Sequence, residues 1–279
     1  MKSLLKNILA LFAISLIATS CDYISEPWQS GEPPEPGDTN KVMRNILIDD
    51  FTGHKCNNCP KASDEIKLME SLQQFEGRVV AIGIHAGFFS TPSASPYEAD
   101  YRTPEGSDLE NLFSPSSFPI GMVNRIDYPT AHLINYPDWI NKASAFLTEE
   151  ASVDIQPSVN YNSSDSTFSV EVDLIHLKDI SSISTKIVVL VTEDKIISAQ
   201  KDGANTDLTY EHNHVLRNST NTVFGEDVDF SGAAIGDTIT YNTNGKLRDV
   251  SVPDNCHLVI YVYDATTQEI IQVVKANLK

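Results

Sequence analysis

The chain has 279 residues, 20 Lys and Arg against 38 Asp and Glu, a formal charge of −18, and four Cys. A chain this long can bury a substantial core without cross-links, and the soft expectation is two domains. The acid surplus leaves no concentrated Lys/Arg surface for phosphates, which excludes nucleic acid as a partner, and four Cys are too few for a disulfide scaffold.

In chain order, Lys2 and Lys6 form a basic start, residues 8–17 are apolar except for Ser15, and Ala18, Thr19 and Ser20 lead to Cys21. This is a secretory signal over residues 1–20, too short for a membrane-crossing helix. A Cys directly after small residues resembles a bacterial lipoprotein signal, which implies that Cys21 carries the lipid anchor. An ordinary signal with an incidental Cys is the alternative. Residues 21–40 hold Pro27, Pro33, Pro34 and Pro36, five acids and no base. They read as an extended tether.

Residues 46–51 form a largely apolar strand. Ala62, Ile66, Met69 and Leu72 then recur at helical spacing, and residues 79–84 make a second apolar strand ending at His85. Strand, helix and strand at this spacing predict a parallel βαβ unit. Residues 88–107 are an irregular excursion carrying Tyr97, Tyr101 and Arg102. A short helix over 108–113, a strand over 120–124 and a closing amphipathic helix containing Trp139 complete this half. Beyond residue 150 the period becomes two: Phe168, Val170, Val172 and Leu174 alternate with polar residues. Further strands are expected over 186–191, 238–241, 258–263 and 270–274, as in an antiparallel β-sandwich. The expected organisation is therefore α/β followed by all-β, with a boundary near residue 150.

Cys56-Asn57-Asn58-Cys59-Pro60 falls between the first strand and the first helix. A thiolate there faces the positive end of the helix dipole, which lowers its pKa and makes it nucleophilic. Cys59, one turn on, can resolve a mixed disulfide. A purely structural disulfide is the alternative, although so small a ring contributes only about 2 kcal/mol by chain entropy. A metal site needs more ligands than the pair, with His212 and His214 the visible supply; no metal or cofactor is expected. His85, at the end of the second strand, is placed at the Cys56 edge, as a partner to the thiolate or as a structural His. Arg125 is a candidate to hold a partner's carboxylate, with a structural ion pair as the alternative. Cys256, before an apolar strand, reads as a buried thiol.

The segment Asp50-Phe51-Thr52-Gly53-His54-Lys55-Cys56-x-x-Cys59-Pro60 resembles the thioredoxin-like outer-membrane lipoproteins related to a 28-kDa outer-membrane protein. Ile84-His85-Ala86-Gly87, Pro119-x-Gly121-x-Val123-Asn124-Arg125 and Tyr210-x-His212-Asn213-His214-Val215-Leu216-Arg217 extend that resemblance. It implies a thioredoxin-like domain over 41–150, an immunoglobulin-like β-sandwich over 151–279 and a lipid-anchored place at the outer membrane. It also implies that Cys56 attacks, that Asp50 moves a proton for the resolving thiol, and that Phe118-Pro119 supplies a cis-proline shaping the substrate groove. Asn57-Asn58 stand where reducing thioredoxins carry Gly-Pro. Two functions follow as expectations. One is a thiol–disulfide oxidoreductase acting on exported proteins; the other is a non-catalytic surface module whose Cys pair is structural.

Overall fold

The computed structural model describes residues 41–248 and 250–279; the signal, Cys21 and the tether lie outside the described residues. β1 (Ile46–Thr52) is buried through Phe51, and the chain leaves it through the Cys loop into α1 (Cys59–Ser71). Pro60 fits the first turn, where its missing N–H costs nothing. Ala62, Ile66 and Met69 form the buried stripe of α1, at the spacing that puts them on one face. β2 (Val79–His85) returns parallel to β1, with Ile46 opposite Val79 and Thr52 opposite His85.

After the excursion, α2 (Pro104–Phe113) starts at Thr103, whose hydroxyl accepts from the Gly106 N–H at 2.9 Å. This cap sets the helix start four residues before the apolar pattern alone suggests. β3 (Ile120–Val123) pairs antiparallel with β1, Ile120 opposite Phe51. α3 (Trp139–Ser144) closes this half. Beyond residue 150 come β4 (Val153–Asn162), β5 (Thr167–His176), β6 (Thr185–Glu193), β7 (Ile196–Asp202), β8 (Asn205–His212), β9 (Val215–Ser219), β10 (Glu226–Val228), β11 (Thr238–Lys246), β12 (Cys256–Asp264) and β13 (Ile270–Asn277).

The strands do not sort into one sheet per half. The largest sheet runs β13–β12–β6–β9–β2–β1–β3, with β10 added on β6. β2 meets β9 in parallel at Gly83 and Val215, where the Gly83 N–H donates to the His214 carbonyl at 2.7 Å. The period change near residue 150 is real, yet the hydrogen-bonded sheet runs across it, and residues 42–279 form one unit. A second sheet, β11–β5–β4, packs over the far end of the first, and β7 and β8 form a separate hairpin.

Alternation along the large sheet feeds three cores. Leu47 and Phe51 join Ile82, Ile84, Phe113, Val188, Leu190 and Tyr261 on one face. Ile46 and Ile48 turn the other way, towards Ala62, Ile66, Met69 and Trp139. Ile187, Val189, Val191, Leu258 and Ile260 meet Val170, Val172 and Leu174 of the second sheet. Each such side chain, fully buried, contributes on the order of 1.5–3 kcal/mol. The overall class is mixed α/β in which strands predominate.

Candidate functional site

The same alternation sorts the polar residues of β1. Asp50 follows Ile46 and Ile48 towards α1, whereas Asp49 follows Leu47 and Phe51 to the opposite face. On β2, His85 shares the face of Ala81 and so also turns towards α1. Asp50, Cys59 and His85 consequently line one small cavity with Gln200, Tyr210 and His212. Its volume is about 30 Å³, room for a water or two.

Cys56 and Cys59 are joined as a disulfide, Cα atoms 5.4 Å apart. Cys59 is the first residue of α1. The loop before it rests on a short helical turn over Phe88–Ser90: the Lys55 N–H donates to the Phe89 carbonyl at 3.0 Å, and the Ser90 hydroxyl to the Thr52 carbonyl at 2.9 Å. Gly53 permits this contact, because a Cβ there would stand 2.7 Å from the Phe89 carbonyl carbon. Both Cys are buried, Cys56 at 1% and Cys59 at 2% exposure. Cys56, expected as the attacking thiol, is covered, and β7–β8 is fastened over its loop. Lys201 N–H donates to His54 O and Gly203 N–H to Asn57 O, each at 2.8 Å. The Gln200 amide donates to Cys56 O at 3.0 Å.

Asp50 is 4% exposed and its Oδ1 meets no hydrogen-bond partner. Desolvation pushes its carboxyl up to about 8, so it is a neutral acid at physiological pH. Three buried histidines lie nearby with the opposite shift. Burial, with His212 and His54 adding repulsion, holds His85 well below its usual range. Burial lowers His212 to about 4, and burial with Lys55 lowers His54. Tyr101 sits among them, its ring 5.0 Å from His85 and 5.1 Å from His212. The Tyr101 hydroxyl donates to Ser198 Oγ at 2.5 Å, and Ser198 lies 3.2 Å from His212 Nε2. With His212 neutral, Ser198 is set to donate onward to that ring.

The other expected residues are distributed differently. Phe118–Pro119 is a cis peptide. It leads directly into Ile120, opposite Phe51, at the end of β1 from which the Cys loop departs. Phe118 is half-buried, 6.1 Å from the Phe89 ring. His85 is buried at 5% exposure, lining the cavity with Cys59 while its ring packs on Tyr101. Arg125 corrects the expectation of a partner-binding cation. Its guanidinium makes two bonds to Asp49, at 2.9 and 3.0 Å, and one to the Tyr261 hydroxyl at 3.1 Å, at 1% exposure. Asn124 and Arg125 both take left-handed backbone conformations. The Asn124 side chain accepts from the Leu47 N–H at 2.8 Å, so this motif ties β3 to β1.

His214 borders the same cavity as His212 but has different partners. It lies 3.6 Å from Asp194, which also pairs with His257 and Lys275. Among the described residues no group of three or more His, Cys, Asp or Glu side chains could hold a metal ion. Cys256 is buried and free, its thiol pushed up to about 12 chiefly by burial. Gln200, Ser198 and the burial of Tyr101 and His54 had no signature in the sequence. They depend on where a polar hairpin from the second half folds back.

Residues 107–279 match the model of a family described as outer membrane protein Omp28. The match begins after the Cys pair. HBP35 of Porphyromonas gingivalis is similar in structure, at 16% identity and a TM-score of 0.69, over 85% of this chain and 76% of that one. A protein from Agrobacterium tumefaciens is similar at 15% identity and 0.53, over 86% and 96%. Both likenesses concern fold alone. A domain of the outer membrane lipoprotein Omp28 from Porphyromonas gingivalis aligns at 22% identity over 46% of this chain and 89% of that domain, with a TM-score of 0.34 that carries no argument. No curated protein matches the chain significantly. No helix among the described residues is long and apolar enough to cross a membrane.

Proposed function

The chain belongs to the Omp28 family of outer membrane proteins, and we propose that it exchanges disulfides with exported proteins through Cys56 and Cys59, which precede the matched residues. In this reading Cys21 carries the lipid anchor and residues 21–40 stand the folded part off the membrane. Residues 41–150 act as a thioredoxin-like half, and 151–279 as an immunoglobulin-like half that completes its sheet.

The supporting observation is the pairing of a disulfide at the start of α1 with a neutral, buried Asp50 in the same cavity as Cys59. Starting from the disulfide, a partner thiolate attacks Cys56 Sγ, forming a mixed disulfide and releasing Cys59 as a thiolate. The Asp50 carboxyl gives that thiolate its proton. A second partner thiolate then attacks the mixed disulfide, freeing Cys56. Two electrons have passed from the partner's dithiol to the Cys pair, and the partner leaves oxidised. The dipole of α1 stabilises the thiolates formed at its N-terminus. Pro119 borders the groove in which the partner chain lies.

The experiment is capture. Reduced Cys59→Ser protein, with Cys56 activated as a mixed disulfide with a small thiol, is expected to trap exported thiol proteins covalently, whereas Cys56→Ser/Cys59→Ser traps none. No trapping by either variant would favour a second reading, a surface module in which the pair is a structural disulfide. The burial of both Cys residues favours that second reading.

A further inference from the structure

β7 and β8 pair with each other and with no further strand among the described residues, yet they are fastened to the Cys loop. Along β7 and into its turn, the Lys201 and Gly203 amides reach the His54 and Asn57 carbonyls, both at 2.8 Å. Beside these contacts the buried Gln200 amide nitrogen donates to Gly53 O at 3.3 Å and Cys56 O at 3.0 Å. Two hydroxyl contacts fasten the hairpin to the excursion, Tyr97 to Thr206 at 2.7 Å and Tyr101 to Ser198 at 2.5 Å. Two main-chain amides of the hairpin thus occupy main-chain carbonyls of the Cys loop, bonds that the backbone of an extended peptide can also make. The outer side of the hairpin leaves Ile197 58% and Leu208 64% exposed, so little apolar packing holds it from outside. A segment held chiefly by hydrogen bonds belongs to the class that opens locally while the core stays folded.

We propose that the β7–β8 hairpin is an in-chain stand-in for an extended partner peptide, latched by Gln200 over the disulfide, and that a partner gains Cys56 by displacing it. The incoming strand takes over the His54 and Asn57 carbonyls that Lys201 and Gly203 release. The proposal rests on the reading of Cys56–Cys59 as an exchange site, and it explains why both Cys are covered in the closed state.

The test compares the full chain with Gln200→Ala, following reduction of the disulfide by dithiothreitol and hydrogen exchange at the Lys201 and Gly203 amides. Gln200→Ala should accelerate both by the same factor, tenfold or more. If Gln200→Ala fails to fold, Tyr97→Phe removes one hydroxyl contact and should accelerate both about threefold, within the usual worth of one hydrogen bond. Exposed Gln156→Ala should change neither. Equal reduction rates in wild type and in both latch variants would overturn the proposal. Failure of the underlying exchange reading looks different. Both rates rise in the latch variant, but Gln200→Ala/Cys59→Ser forms no mixed disulfide with an extended peptide whose Cys is supplied as a disulfide with a small thiol, from which Cys56 would displace that thiol, and the peptide half of the proposal is then lost.

Discussion

Two adjacent carboxylates on β1 have opposite fates because successive side chains point to opposite faces. Asp49 meets Arg125 and is fully paired; Asp50 meets α1 and is not. Asp49→Asn leaves the buried Arg125 charge without its partner and should cost about 3–5 kcal/mol in chemical unfolding. Replacing both partners by apolar residues should cost less than either single change. For Asp50 the folded carboxyl lies near 8, above its unfolded value. The native state therefore holds a proton that the unfolded state has released, and stability falls as pH rises from about 4 to about 8. Asp50→Asn should remove this slope and be the more stable protein at pH 8.5, by on the order of several kcal/mol. It should also slow release of Cys59 during exchange. The place of the Cys pair at the start of α1 was legible in the order of strand, loop and helix, whereas Asp50 was singled out through the family resemblance. The commitment of Arg125 was not, since its partners Asp49 and Tyr261 lie 76 and 136 residues away.

At the scale of elements, β1, α1 and β2 followed directly from periodicity. So did β5, by apolar alternation, and β6, β12 and β13, by apolar runs, while β11 showed only its first residues. β4 escaped because Pro157 interrupts it, which an edge strand tolerates: β4 pairs with β5 alone. β7 and β8 carry too few apolar residues to announce themselves. Their buried residues are Ala199, Gln200 and His212, with half-buried Ser198 beside them. That choice has a pH consequence. His212 is held near 4 by burial, so its neutral form is favoured by folding. The stability it contributes is complete above about 6.5 and is lost as pH falls towards 4. His54 and His85, shifted the same way, add to the effect. Acidification through this window should therefore loosen the hairpin first, seen as lost protection of the Lys201 and Gly203 amides relative to their intrinsic exchange at each pH. His212→Gln should flatten that dependence, by on the order of 3 kcal/mol in stability across the window. An acid response unchanged by this substitution would remove His212 from the account.

For the whole molecule, the change of period near residue 150 is the feature most easily mistaken for a domain border. It marks where helices stop covering the sheet and a second sheet begins. Periodicity reports how each segment is buried, not which strand it pairs with, so the β2–β9 junction was invisible to it. One apolar face, from Leu47 through Leu190 to Tyr261, crosses the junction without a break. Unfolding of residues 41–279 should accordingly be a single cooperative transition, with Trp139 fluorescence and far-ultraviolet dichroism coinciding. Two separated transitions would show that the halves are independent. Residues 41–150 expressed alone should lack a stable fold, because β2 loses β9 and the Asp49–Arg125 pair loses Tyr261.

The reduction potential of Cys56–Cys59 distinguishes an exchange site from a structural bridge. Equilibration of the full chain against glutathione and thioredoxin buffers should place it between about −270 and −120 mV, the span of exchanging Cys pairs. A value below about −300 mV, where structural disulfides of exported proteins lie, would contradict the account.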